Sequence, residues 1–294
     1  MPYREDRTSH LRWPARVGGA PDIRPGTLEL LPDVLSPQLK NERDLLVYLP
    51  ASHGEENRRF PVLYMHDGQN LFDPATSFAG EWQVDEAMAA ASLQGLEAIV
   101  VGVPNMREKR MNEYSPFDGP EWGPGRGDAY LNFLTQTVKP LVDRRFRTLT
   151  DRRHTGLAGS SMGGLISLYG FFARPETFGF TAAMSPSLWL NDEAIFPLVE
   201  AAPFTPGRIY LDIGRLEGDR HVANVRRLRD LLAAKGYRDG VELRWIEDEH
   251  GQHTESAWAR RFRAALPYLL DAQGERWVRA ARPGRRASDP RLRE

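Results

Sequence analysis

The stretch His154–Phe172, HTGLAGSSMGGLISLYGFF, constrains this chain more than any other. A short apolar strand over Thr155–Ala158 runs into Gly159-Ser160-Ser161-Met162-Gly163-Gly164, and an apolar helix opens at Leu165. The central five residues fit G-x-S-x-G, in which a strand bends sharply into a helix and leaves the middle serine in a strained backbone conformation. Glycines two residues before and two after carry no side chain to collide with the neighbouring strand and helix. The serine oxygen is then exposed at a helix N-terminus, where free N–H groups favour developing negative charge. That geometry makes Ser161 the candidate nucleophile; Ser160 takes the x position and faces elsewhere. The bland alternative is a glycine-rich connector in which Ser161 merely caps the helix.

Strand-length apolar runs recur on both sides of this turn. FPVLYM (60–65) and AIVVGV (98–103) are continuous apolar runs, as expected of strands buried on both faces, and WQVDEAMAAASL (82–93) between them has helical spacing. Strands are also expected at 27–31, 43–48, 181–184, 208–213 and 241–246. Helices are expected from Asp128, as a cap, to Arg145, and over 193–200, 224–235 and 256–270. Strand and helix alternate to the end, which predicts an α/β fold: one mostly parallel, doubly wound sheet with helices on both faces. Residues 104–127 break the rhythm, and a loop of that length is often functional. The expected organisation is a polar extension over 1–25, one domain over 26–273 and an Arg-rich tail over 274–294.

The sequence starts with a charged segment lacking an apolar h-region, so it is not read as a secretory signal. No segment approaches the roughly 20 apolar residues of a membrane span. There is no cysteine, hence no disulfide, thiolate chemistry or Cys-based metal site, and the net charge of −1 offers no overall field for nucleic acid. A cytoplasmic protein with neither membrane nor nucleic-acid partner is the expectation. The tail from Arg276 to Glu294, with seven arginines against two acids, reads as a solvated segment.

A serine hydroxyl needs a base, and in this class of fold the order is serine, acid, histidine, each on a loop at the C-terminal edge of the sheet. Of seven histidines, His250 and His253 lie between the last strand and the last helix; His253, beside the helix start, is favoured. An H-x-x-H zinc pair lacks a third ligand. The acid is expected after strand 208–213. Glu217, bracketed by glycines, is favoured, Asp219 stays open, and Asp212 lies within the strand as a structural group. For the oxyanion, the backbone N–H groups of Met162 and of Gln69, in the loop His66-Asp67-Gly68-Gln69, are the candidate donors, with Gly68 allowing close approach to substrate.

These residues resemble the esterase family of α/β-hydrolases that includes esterase D, enterochelin esterases, feruloyl and acetyl xylan esterases, and mycolyltransferases. The matching pieces, in order, are PVLYMHDGQNLFD (61–73), GEWQVDEAM (80–88), VVGVPNMREKRMNEYSP (100–116), GLAGSSMGGLISLY (156–169), MSPSLW (184–189), YLDIGRLEGD (210–219) and HTESAWARRF (253–262). The resemblance implies an α/β-hydrolase fold, nucleophile Ser161, acid Glu217, base His253 and oxyanion donors Met162 and Gln69. It also implies substrate contacts from the loops holding Asp67, Trp189 and 104–127, with Trp189 equally readable as core. The expected activity is hydrolysis of a carboxylic ester through an acyl-enzyme, without metal or organic cofactor. Expected substrates are small, acyl-sugar or siderophore-type esters. Acyl transfer, thioester cleavage and a non-catalytic binding module are the alternatives.

Overall fold

The computed structural model describes residues 26–270, apart from 56 and 121. The expected N-terminal extension and the Arg-rich tail lie outside the described residues. Eight strands form one sheet: β1 (Thr27–Ser36), β2 (Asn41–Leu49), β3 (Val62–His66), β4 (Ile99–Val103), β5 (Thr155–Ser160), β6 (Phe180–Met184), β7 (Arg208–Gly214) and β8 (Leu243–Asp248). Their order is β1-β2-β4-β3-β5-β6-β7-β8. β1 and β2 pair antiparallel, β2 pairs antiparallel with β4, and β3 to β8 run parallel. All six parallel strands therefore deliver their C-terminal loops to one edge.

The apolar runs explain the layering. Along β3, Val62 and Tyr64 enter one core, while Leu63 and Met65 enter the other. Along β4, Ile99, Val101 and Val103 divide in the same way from Val100 and the preceding Ala98. One face is covered by the helices Val84–Ser92 and Glu255–Leu270, through Ala87, Met88, Trp258, Phe262 and Leu266. The other carries Met162–Ala173 and Asp219–Ala234, with the helical run 127–145 outside. Every residue from Met162 to Phe172 is buried, because this helix lies between the sheet and the 127–145 run. Each large apolar side chain so buried stabilises the fold by about 1.5–3 kcal/mol.

All eight expected strands are present, with shifted ends. β1 continues to Ser36 across a bulge between Leu31 and Val34, where Asp33 takes a φ of 54°. Asp128 does not cap its helix. Its Oδ1 accepts from Tyr169 Oη at 3.1 Å and Arg174 Nη2 at 3.0 Å, tying the outer helix to the buried one. The 104–127 insertion is ordered by a buried ion pair: Arg43 Nη2 lies 2.9 Å from Glu113 Oε2, and Asn41 Nδ2 donates to Glu113 Oε1 at 2.8 Å.

Candidate active site

The turn after β5 places Ser161 at the N-terminus of the helix Met162–Ala173, with φ 57° and ψ −119°. Non-glycine residues at such angles are strained and persist where the surroundings over-determine them. Here Ser161 N–H donates to the Met184 carbonyl at 3.0 Å, and the Ser161 carbonyl accepts from Leu165 N–H and Ser187 N–H, both at 3.0 Å. A Cβ on Gly159 would lie 2.8 Å from the Gly163 carbonyl carbon, so this close turn admits only glycine there. Ser160 is buried at the end of β5, whereas Ser161 is partly exposed.

β7 and β8 supply the other candidates. Glu217 closes the short turn Arg215–Glu217 after β7, and its side chain is fully buried. His253 lies between β8 and the last helix, with Nδ1 2.7 Å from Glu217 Oε2. Its ring stands edge-on to Trp258 at 4.7 Å between centroids. His250 and Asp219 are exposed and take no part in this pairing. Burial pushes the Glu217 carboxyl upward, but hydrogen bonds from His253, Ser185 and the Gly214 N–H outweigh it and hold the group below its ordinary value. An ionised carboxylate only accepts, so His253 Nδ1 carries a proton and donates it to Glu217 Oε2.

A second layer fixes Glu217, and most of it was not read from the sequence. Ser185 Oγ donates to Glu217 Oε1 at 2.7 Å and accepts from Trp258 Nε1 at 2.9 Å and Arg261 Nη2 at 2.6 Å. The hydroxyl thus uses its one proton and both lone pairs. Arg261 is almost wholly buried, 3.3 Å from Glu217 Oε1 and 3.1 Å from Asp212 Oδ2. The Asp212 contact has ion-pair distance without hydrogen-bond alignment. Burial pushes Asp212 up to about 6 against the opposing pull of Arg261, and its Oδ1 accepts from Ser185 N–H at 3.1 Å. Asp212 is thus structural, as expected. The available signal was the three-residue spacing of Trp258 and Arg261, which puts both on one helix face.

The oxyanion candidates sit across the elbow. Met162 is the first residue of its helix, so its N–H has no acceptor within it. Gln69 lies in the turn Gly68–Asn70 after β3, and among the described residues its N–H has no acceptor. A Cβ on Gly163 would stand 3.2 Å from His66 Cβ, which places the two loops in contact. Gly68 is required by packing as well: a Cβ there would meet the Gly102 carbonyl carbon and Val103 N at 2.6 Å, a clash with β4. Asp67, expected to contact substrate, has both oxygens engaged. Arg110 Nε and Nη2 bind Oδ1 and Oδ2 at 2.7 and 2.9 Å, and Asn105 Nδ2 binds Oδ1 at 2.6 Å. Burial raises the Asp67 carboxyl, but these partners hold it below its ordinary value. Trp189 is 40% exposed, so it does not belong to the core.

Ser161 Oγ lies 3.1 Å from Ser187 Oγ, and among the described residues it makes no hydrogen bond to His253. Glu81, Asp85 and Glu86 form one group whose carboxylate oxygens lie within 4.8 Å of one another. An acidic cluster alone does not make a metal site. Among the described residues, no helix is long and apolar enough to cross a membrane.

The family model described as "Putative esterase" matches residues 36–269. The Bacillus subtilis protein named "Uncharacterized protein YbbA" is 27% identical over 252 residues, covering 80% of this chain and 95% of that one. The siderophore triacetylfusarinine C esterase of Aspergillus fumigatus is 33% identical over 150 residues, and the match covers 49% of each chain. The structure of an IroE-like serine hydrolase from Shewanella oneidensis superposes with a TM-score of 0.67 at 19% identity, covering 83% of this chain and 80% of that one. The match over most of its length, on a sheet of this order, means that the chain belongs to this esterase family and has the α/β-hydrolase fold.

Proposed function

We propose that the protein hydrolyses carboxylic esters through an acyl-enzyme on Ser161. Ser161 Oγ attacks the ester carbon, its proton passes to His253 Nε2, and the carbonyl electron pair moves onto the oxygen. The Met162 and Gln69 N–H groups hold that oxyanion. The C–O bond to the alcohol then breaks, and the alcohol leaves with the proton from His253. Water gives its proton to His253 and attacks the acyl carbon, and Ser161 departs with that proton. Glu217 keeps the proton of His253 on Nδ1 and stabilises the imidazolium.

The observation that carries this reading is the meeting, at one sheet edge, of a strained elbow serine and a histidine whose Nδ1 is 2.7 Å from a buried carboxylate. In free enzymes the serine–histidine contact is often loose and tightens with substrate, which fits the orientation of Ser161 toward Ser187. The substrate is a siderophore-type ester, a reading supported by the named activity of the Aspergillus relative. Ser161→Ala is expected to lower kcat on a p-nitrophenyl ester at least about a thousand-fold. Near wild-type turnover in that variant contradicts the assignment.

A further inference from the structure

We infer that Ser187 is a further catalytic residue, a hydrogen-bond donor to the nucleophile oxygen itself rather than to the oxyanion. The inference rests on Ser161 being the nucleophile. Ser187 follows β6 and is buried, at 3% exposure. Its backbone N–H donates to the Ser161 carbonyl at 3.0 Å, and its Oγ stands 3.1 Å from Ser161 Oγ. The two serines are thus clipped together by main chain and side chain at once.

The direction of the hydroxyl bond follows from burial. A buried hydroxyl that fails to donate its proton loses free energy. Among the described residues, Ser161 Oγ is the one hydrogen-bond partner of the Ser187 hydroxyl. Ser161 is partly exposed, so its own proton has other places to go. Ser187 O–H therefore donates to Ser161 Oγ, and the Ser161 proton stays available for transfer to His253 Nε2.

This gives Ser187 a part in both half-reactions. As Ser161 loses its proton to His253 and forms the bond to the acyl carbon, partial negative charge appears on Oγ, and a donor already in place stabilises it. When water expels Ser161 from the acyl-enzyme, the breaking C–O bond returns its electron pair to the same oxygen, and the same donor stabilises the charge that appears there. The Ser187 proton stays on Ser187 throughout.

Ser187→Ala tests this cleanly, since it removes the hydroxyl and keeps the N–H bond to the Ser161 carbonyl. The expected result is a fall in kcat of about 10-fold with KM within about two-fold of wild type. The rate at which a fluorophosphonate forms its phosphonyl adduct on Ser161, with loss of fluoride, is expected to fall in parallel. Ser187→Thr, which keeps a hydroxyl, is expected to restore most of kcat. Wild-type kcat and labelling rate in a folded Ser187→Ala protein overturn the inference, as does a rise in KM with kcat unchanged. If Ser161→Ala is inactive while Ser187→Ala is unimpaired, only the role of Ser187 falls. If Ser161→Ala stays active, the acyl-enzyme reading falls with it.

Discussion

Two buried carboxylates flank the elbow, and each is held by an arginine, yet their free lone pairs differ. Glu217 meets Arg261, Ser185 and the Gly214 N–H through Oε1 alone, which leaves Oε2 for His253 at 2.7 Å. Asp67 gives Oδ1 and Oδ2 to the two nitrogens of Arg110, with Asn105 also on Oδ1. The first arrangement keeps one oxygen directed at His253; the second closes both oxygens on the 104–127 insertion. A carboxylate's role at this sheet edge is thus set by which oxygen its neighbours leave unclaimed. Burial and an arginine partner are common to both.

Replacing each acid by its amide separates the two most strongly. Glu217→Gln removes the charge that fixes His253 and is expected to lower kcat about a thousand-fold or more on a p-nitrophenyl ester. Asp67→Asn loosens the Arg110 anchor of the insertion and is expected to act mainly on KM. Equal losses of kcat in the two variants contradict the contrast between them.

His66, beside Asp67, sharpens the comparison through pH. Burial lowers its pKa to about 4, and its Nδ1 lies 2.8 Å from Tyr130 Oη. The unfolded chain takes up a proton near pH 6.5, and the folded one does not until about pH 4. The stability tied to this neutral histidine is therefore complete above about pH 6.5 and is lost as pH falls toward 4. It amounts to about 3 kcal/mol. Urea midpoints of wild type and His66→Asn, compared at pH 4.5 and 7, measure it. The variant is expected to show the flatter profile, and parallel profiles contradict the assignment.

Ser185 breaks the Glu217 side from beneath. Ser185→Ala strips one partner from each of Glu217, Trp258 and Arg261 and is expected to cost about 2 kcal/mol of stability, read from urea unfolding. An unchanged midpoint sinks the idea that this hydroxyl organises the layer behind Glu217. For Asp67→Asn the expectation is the smallest, a rise in KM of about 10-fold with kcat reduced less, measured by steady-state kinetics.

The sequence made the sheet legible because β3 and β4 are apolar on both faces, and it made the elbow legible because glycine spacing and flanking periodicity coincide. Glu217 stood out through its bracketing glycines and its place after an apolar strand. Ser185, Arg261 and the role of Asp67 did not, because they depend on which strands lie side by side. β6 neighbours β7, so the Ser185 N–H reaches Asp212; the last helix covers both strand ends, so Arg261 reaches each of them. Local propensity also misplaced element ends, two of them for a visible cause. The helix Asp219–Ala234 starts five residues before the expected Asn224, because Gly218 at φ 99° turns the chain directly into it and its polar first turn hides the periodicity. β8 starts at Leu243 rather than Val241, since Val241 and Glu242 donate back to the Arg238 carbonyl in a turn.

The most direct measurement of the central claim is the site of covalent labelling. Wild-type protein is treated with a fluorophosphonate, digested and mapped by mass spectrometry beside Ser161→Ala and Glu217→Gln. One adduct is expected, on Ser161, absent in Ser161→Ala and formed much more slowly in Glu217→Gln. An adduct on Ser160, or undiminished labelling of the Ser161→Ala protein, contradicts it.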